Sequence, residues 1–341
     1  MKELVMQLCA LSGVSSWEDE VREFLQAEAA PYAQEIRTDA LGNLIIRKKG
    51  AKAAGDKLLL CAHMDEVGLM IRHMTEEGYL KFDTVGSLDR RVLLGKQVLV
   101  GPNRLPGVVG LKAYHLVSRE EEKNVPKLKD YYIDIGAGDR AEAEKMVNLG
   151  DVAVFTTRPE SFGDGLLKAK ALDDRIGCAV LLTLLKEELP MDCTFVFTAQ
   201  EEVGTRGAFG AAFSVTPELA LVLEGTTAAD LPGTPPQKQV CALGGGAVLT
   251  LMDRGSIADR GVFERLRTLA EEQGIPWQLK RFVSGSNDAA AIQRTKSGVR
   301  TAVLSAPVRY VHAPAGLACV SDMEAVLALA RALIYDVAKE V

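Results

Sequence analysis

The residue types that could do chemistry fall into five short clusters. His63-Met64-Asp65-Glu66 follows the apolar run Leu58–Ala62, and Gln200-Glu201-Glu202 follows Phe195–Ala199. Glu224-Gly225 follows Leu219–Leu223, and Arg309-Tyr310-Val311-His312 lies a few residues past Val303-Leu304. The fifth, Leu172-Asp173-Asp174-Arg175, opens a helical pattern. Two imidazoles and several carboxylates are a donor set suited to zinc, manganese or cobalt. A paired-metal site needs one bridging carboxylate, about two further ligands per ion and a base for the attacking water, with the ions roughly 3.5–4 Å apart. Each cluster alone has a plainer explanation. Asp-Asp before a helix is ordinary capping, Glu-Glu after a strand is ordinary solvated loop, and His312 between Val311 and Ala313 could be a satisfied half-buried histidine. What favours one site is position, because ligands in open α/β sheets sit beyond the carboxyl ends of strands, where several loops converge. His73 and His115 have no carboxylate companions and are assigned structural roles.

The elements that must position these residues alternate. Two helices are expected in the first 30 residues, with Leu4, Leu8 and Leu11 on one face of the first. Ser15-Ser16-Trp17-Glu18 reads as a capping box for the second. Leu44–Ile46 and Leu58–Ala62 read as strands, the second fully buried. From about residue 70 to 160 short apolar runs (Gln97–Val100, Val108-Val109, Val152–Phe155) are punctuated by Gly and Pro, the texture of a small barrel-like β domain. A helix over 141–147 is the exception. Past Gly163-Asp164-Gly165 the α/β rhythm returns: helices over 174–188, 205–213, 261–273, 288–296 and 321–338, with strands between them. The fold expected is α/β, a mixed sheet sandwiched by helices, with a catalytic domain split into 1–69 and 161–341 around an inserted β-rich unit, 70–160.

Composition narrows the function classes. The chain has 341 residues, 48% hydrophobic and 25% charged, with a net charge of −6. That balance offers no electrostatic case for nucleic acid or an anionic membrane surface. No apolar run approaches the roughly 20 residues that span a bilayer, and Met1-Lys2-Glu3-Leu4 lacks the pattern of a signal peptide, so cytoplasm is expected. Six cysteines stand singly, without a Cys-x-x-Cys pair, which leaves thiolate zinc sites unsupported. There is no Gly-x-Ser-x-Gly elbow, His-Glu-x-x-His helix or P-loop.

At these clusters the chain resembles the tetrahedral-type cocatalytic metallo-aminopeptidases, a family with glutamyl, leucyl and deblocking members, some labelled endoglucanases. The likeness rests on Ala62–Gly68, Ala171–Arg175, Gln200–Gly204, Glu224–Thr226 and Arg309–His312, in that order. It extends through Ile133–Ala137 and Asn148–Asp151 of the inserted unit. The resemblance implies a zinc-exopeptidase-like fold and two divalent ions per chain, zinc or cobalt, with manganese as a further candidate. It implies that Asp173 bridges the ions, that His63 and Glu224 hold one, and that Glu202 and His312 hold the other. Glu201 would be the general base, and Asp65 would orient His63. Spacing alone leaves open whether Asp173 or Asp174 bridges. The implied reaction removes the N-terminal residue from peptides, and the implied assembly is a dodecamer built from dimers. The glycosidase label is physically weak, since glycoside cleavage needs paired carboxylates astride the sugar and no metal cluster. A carboxypeptidase or deacylase of the same clan is the nearest rival, and a non-catalytic peptide-binding scaffold the more distant one. Arg254 and Arg260 could favour acidic substrates but read more simply as surface residues.

Overall fold

In the computed structural model, which describes residues 1–341, the chain opens with helices α1 (Lys2–Ala10) and α2 (Asp19–Ala29). Strands β1 (Glu35–Thr38), β2 (Leu44–Lys48) and β3 (Leu58–His63) follow. Six strands and one helix come next: β4 (Gly68–Met74), β5 (Leu80–Val85), β6 (Gln97–Val100), β7 (Leu105–Gly110), β8 (Tyr132–Asp134), α3 (Arg140–Met146) and β9 (Val152–Phe155). The six strands close a barrel in the order β4-β5-β8-β7-β6-β9 around its own core of 15 buried residues, including Leu69, Ile71 and Ile133. Closure removes every sheet edge, which is how a short-stranded unit of this size avoids exposed pairing groups.

The remainder runs β10 (Glu160–Phe162), β11 (Leu166–Ala169), α4 (Leu172–Lys186), β12 (Cys193–Thr198), α5 (Arg206–Val215), β13 (Leu219–Thr227) and β14 (Ala247–Thr250). It ends with α6 (Arg260–Gln273), β15 (Trp277–Leu279), α7 (Ala289–Ile292), β16 (Arg300–Arg309), β17 (Gly316–Cys319) and α8 (Val320–Val337). With β1–β3 these strands form one mixed sheet of 11, ordered β1-β2-β12-β3-β13-β16-β17-β11-β10, with β14 against β16 and β15 against β14. Its centre, β12-β3-β13-β16, is parallel. Every residue of β3 and β12 is buried, as expected of central strands covered on both faces. One face packs against α1, α2, α4, α6 and α8 in a core of 54 residues; the other packs against α5 and α7 in a smaller core of 14.

Two local expectations are corrected. Ser15 and Glu18 do not form a capping box. The Ser15 hydroxyl donates to Asp65 Oδ2 (2.6 Å), and the Glu18 carboxylate accepts from the Ser16 and Gln200 amides (2.7 and 3.1 Å). Helix α2 begins at Asp19 with no side-chain cap, because tertiary partners have taken the capping groups. The helix expected over 288–296 is only Ala289–Ile292: the Thr295 amide bonds Ile292 O, a tighter three-residue turn, and Lys296 is left-handed (φ 53°).

Candidate metal centre

Because β12, β3, β13 and β16 are parallel, their carboxyl ends open on one edge of the sheet, and all five clusters meet there. His63 is the last residue of β3 and sits in register with Thr198, the last of β12. Glu201 and Glu202 follow β12, Glu224 lies within β13 opposite Ser305, and His312 is just past β16. Asp173 enters at the start of α4, where its backbone and that of Asp174 are non-helical. The chain bends sharply into this edge: Ala171, Gln200, Tyr310 and His312 have φ of 53°, 59°, 61° and 58°. Left-handed backbone at non-glycine residues costs on the order of 1–3 kcal/mol each and gathers where a site over-determines it.

The structure brings together His63, Asp173, Glu202, Glu224 and His312. His63 Nε2 lies 3.2 Å from Glu224 Oε1 and 3.4 Å from Asp173 Oδ1. On the other side His312 Nε2 lies 3.1 Å from Glu202 Oε2 and 3.9 Å from Asp173 Oδ2. Two triplets result, His63–Asp173–Glu224 and Asp173–Glu202–His312, each with its ligand atoms within 4.8 Å of one another. Asp173 belongs to both and turns a different oxygen toward each histidine. Asp174 points away: its Oδ1 accepts the Gly177 amide (2.9 Å) at the start of α4, a helix-capping contact. The peptide between Asp173 and Asp174 is cis. Gly225 is obligatory beside Asp173, since a Cβ there would stand 2.8–2.9 Å from Asp173 Oδ1, Cα and Cβ.

Electrostatically the cluster is an excess of buried acids around two imidazoles. Burial pushes the Glu201 and Glu224 carboxyls well above their usual range, helped by neighbouring carboxylates, and raises Glu202 against the pull of His312. Burial alone would lower both histidines; Glu224 and the aspartates reverse this at His63, and Glu202 does so at His312. Burial also opposes ionisation of Asp173, yet the histidines hold its carboxyl below the ordinary value. Glu224 Oε2 is buried without a hydrogen-bond partner. Hard oxygen donors, two imidazoles and an orphaned carboxylate oxygen fit divalent cations, whose charge would ionise these acids together.

A supporting layer fixes the donors. His63 Nδ1 contacts the Asp65 carbonyl (3.1 Å) and Asp65 Oδ1 (3.4 Å), leaving Nε2 to face Asp173 and Glu224. Asp65 Oδ1 and Oδ2 accept the amides of Glu201 and Glu202 (2.9 and 3.1 Å). Behind it Glu66 is buried against Lys170 (2.6 Å) and Arg175 (3.3 Å), while Lys170 and Arg175 also bond Leu11 O and Leu8 O at the end of α1. Sequence reasoning did not find this ion cluster, nor buried Asp288, which accepts from Thr198 Oγ1 at the end of β12. The placement of an acid beside an apolar run was the only available signal. His73, His115, Arg254 and Arg260 are exposed and take no part in the cluster.

Comparison with known proteins now decides the family. The family model described as M42 glutamyl aminopeptidase matches residues 42–329. A putative aminopeptidase of Acetivibrio thermocellus is 40% identical over 325 residues, covering 95% of each chain. The chain belongs to the M42 aminopeptidase family. Among solved structures, an aminopeptidase of the archaeon Desulfurococcus kamchatkensis superposes with a TM-score of 0.92 at 34% identity, over 98% of this chain and 94% of that one. The TET1 peptidase of Pyrococcus horikoshii, which can assemble into a tetrahedron or a large octahedral shell, does so with 0.86 at 33% identity, over 97% and 98%. This M42 protein is thus a metallo-aminopeptidase, a hydrolase of peptide bonds that uses divalent metal. Its likeness spans both the sheet and the barrel.

Proposed function

We propose that the chain removes the N-terminal residue of peptides with two divalent ions, one held by His63, Asp173 and Glu224 and the other by Asp173, Glu202 and His312. The observation that carries this reading is Asp173, whose two oxygens face two different histidines. Zinc or cobalt suits the mixed imidazole and carboxylate set best, with manganese as a further candidate. When bound, the ions polarise the scissile carbonyl and make water at the site acidic. Glu201 accepts the proton of the attacking water and returns it to the leaving amine, a role open to a buried carboxylate that the bound ions keep ionised. Asp65 holds the Glu201 and Glu202 amides and His63 in one frame, so base and ligands keep their relative positions.

The division into a catalytic unit (1–69 and 161–341) and an inserted unit (70–160) accounts for the barrel's separate core. We assign the inserted unit to self-association, as dimers that build a dodecamer, by analogy with the shell-forming Pyrococcus horikoshii relative. No helix is long and apolar enough to cross a membrane. Together with six free cysteines, five of them buried, this supports a place in the cytoplasm. The experiment is digestion of an unblocked hexapeptide and its N-acetylated twin, with and without chelator. Stepwise release from the free N-terminus alone, abolished by chelation, is expected. Release from the carboxyl end, or equal cleavage of both peptides, contradicts the reading.

A further inference from the structure

The two histidines at the centre are held by different means. His63 ends β3 inside the sheet, and its Nδ1 is braced by Asp65. The His312 side chain is the most exposed of the five donors, at 34% against 12% or less for the others. Its Nε2 faces Glu202 and Asp173, and its Nδ1 makes no hydrogen bond to the protein. His312 stands on the connection between β16 and β17, residues 310–315, none of which makes a backbone–backbone hydrogen bond. Tyr310 and His312 are left-handed there, and Val311 packs against the large core. Apart from that packing, the connection is held at its two ends.

At the far end Gly316 pairs with Ala169 of β11. At the near end stands Arg309, the last residue of β16. Its Nε donates to Asp230 Oδ1 and its Nη2 to Asp230 Oδ2, both at 2.7 Å. Two parallel charged hydrogen bonds fix the orientation of a guanidinium as well as its position. Asp230 is itself anchored on the loop after β13. Its Oδ2 also accepts the Leu243 amide (3.0 Å), and the Ala228 amide bonds Val308 O (2.8 Å), beyond the last paired residues of β13 and β16. Neither side chain bonds any of the five donors, so the pair acts on the centre through the backbone alone.

We propose that the Asp230–Arg309 pair positions His312 and so sets the affinity of the Asp173–Glu202–His312 triplet for its ion, while leaving the His63–Asp173–Glu224 triplet unaffected. This rests on the two-ion reading above. A metal ligand has to be held within about 0.5 Å of its place, and His312 lacks the ring brace that Asp65 gives His63. Without the fork, the β16 end of the connection is free to turn, and the imidazole moves relative to Glu202. Glu224 precedes Asp230 within β13 and keeps its pairing with Ser305, so the other triplet does not depend on the fork.

The test titrates the metal-free protein with zinc by calorimetry, with His312→Ala and His63→Ala showing which binding step belongs to which triplet. Asp230→Asn keeps size and removes charge. It should weaken the His312 step about 10- to 100-fold, the range for groups that hold a metal ligand, and leave the His63 step unchanged. Arg309→Lys keeps the cation but loses the fork, and should weaken the same step. If the two residues act as one unit, combining both changes should cost no more than Asp230→Asn alone. Should Asp230→Asn fail to fold, Arg309→Lys carries the same comparison. Two steps that weaken together, or a lower melting temperature with both steps intact, would make the pair a general brace and overturn the assignment. Two steps in the wild type that neither variant alters overturn it as well, with the two-ion reading intact. A wild type that binds fewer than two zinc ions overturns both.

Discussion

The Asp65 carboxylate lies 3.4 Å from His63 Nδ1 and at the same time accepts the amides of Glu201 and Glu202. One buried acid therefore fixes an imidazole from β3 and two carboxylates from the loop after β12. The positive His63 and these donors hold its carboxyl below the usual range despite burial. Asp65→Asn replaces one accepting oxygen with an amide that faces a backbone N–H. Activity or metal affinity should fall about 10- to 100-fold with the fold retained, as measured by kcat and metal titration.

Glu66 predicts a different kind of loss. Its carboxylate is the only counter-charge seen by buried Lys170 and by Arg175, and it also accepts the Gly13 amide (3.0 Å). Glu66→Gln leaves two cations buried without a full partner, which costs about 3–5 kcal/mol. Urea unfolding of the metal-free protein should show the midpoint falling accordingly, and an unchanged midpoint would exclude a structural role for the cluster.

A pH dependence follows from Glu18, whose carboxyl burial pushes up to about 6 from an ordinary 4.5. The folded state then binds a proton more tightly than the unfolded chain. Its stabilising contribution is complete below about pH 4.5 and is lost as pH rises through 6, leaving a cost on the order of 2 kcal/mol at neutral pH. Glu18→Gln keeps an oxygen for the Ser16 and Gln200 amides and removes the charge. The difference in melting temperature between variant and wild type should be small at pH 4.5 and favour the variant at pH 7. A difference that is flat with pH contradicts this.

Much of the site was legible in the sequence because its donors sit where an apolar strand stops. His63, Glu202, Glu224 and His312 each stand at or just beyond a run of buried residues, and parallel strands carry those ends to one edge. Asp173 and Asp174 could not be told apart by spacing, since adjacent residues in one turn differ only in how the backbone aims them. Ser15 and Glu18 were misread for a related reason. A local capping pattern looks the same whether its partners are one turn away or, as here, Asp65 and Gln200.

The central claim is that Glu202 holds metal while its neighbour Glu201 moves the proton, and one paired measurement addresses it most directly. Metal content by elemental analysis and kcat on an unblocked peptide are measured for Glu201→Gln and Glu202→Gln beside the wild type. The account predicts two ions per chain in the wild type and in Glu201→Gln, with turnover in the latter reduced by at least roughly 10²–10⁴-fold. It predicts that Glu202→Gln loses one ion and regains part of its activity in excess metal. Loss of an ion from Glu201→Gln with two retained by Glu202→Gln, or near-normal turnover in Glu201→Gln, would contradict it.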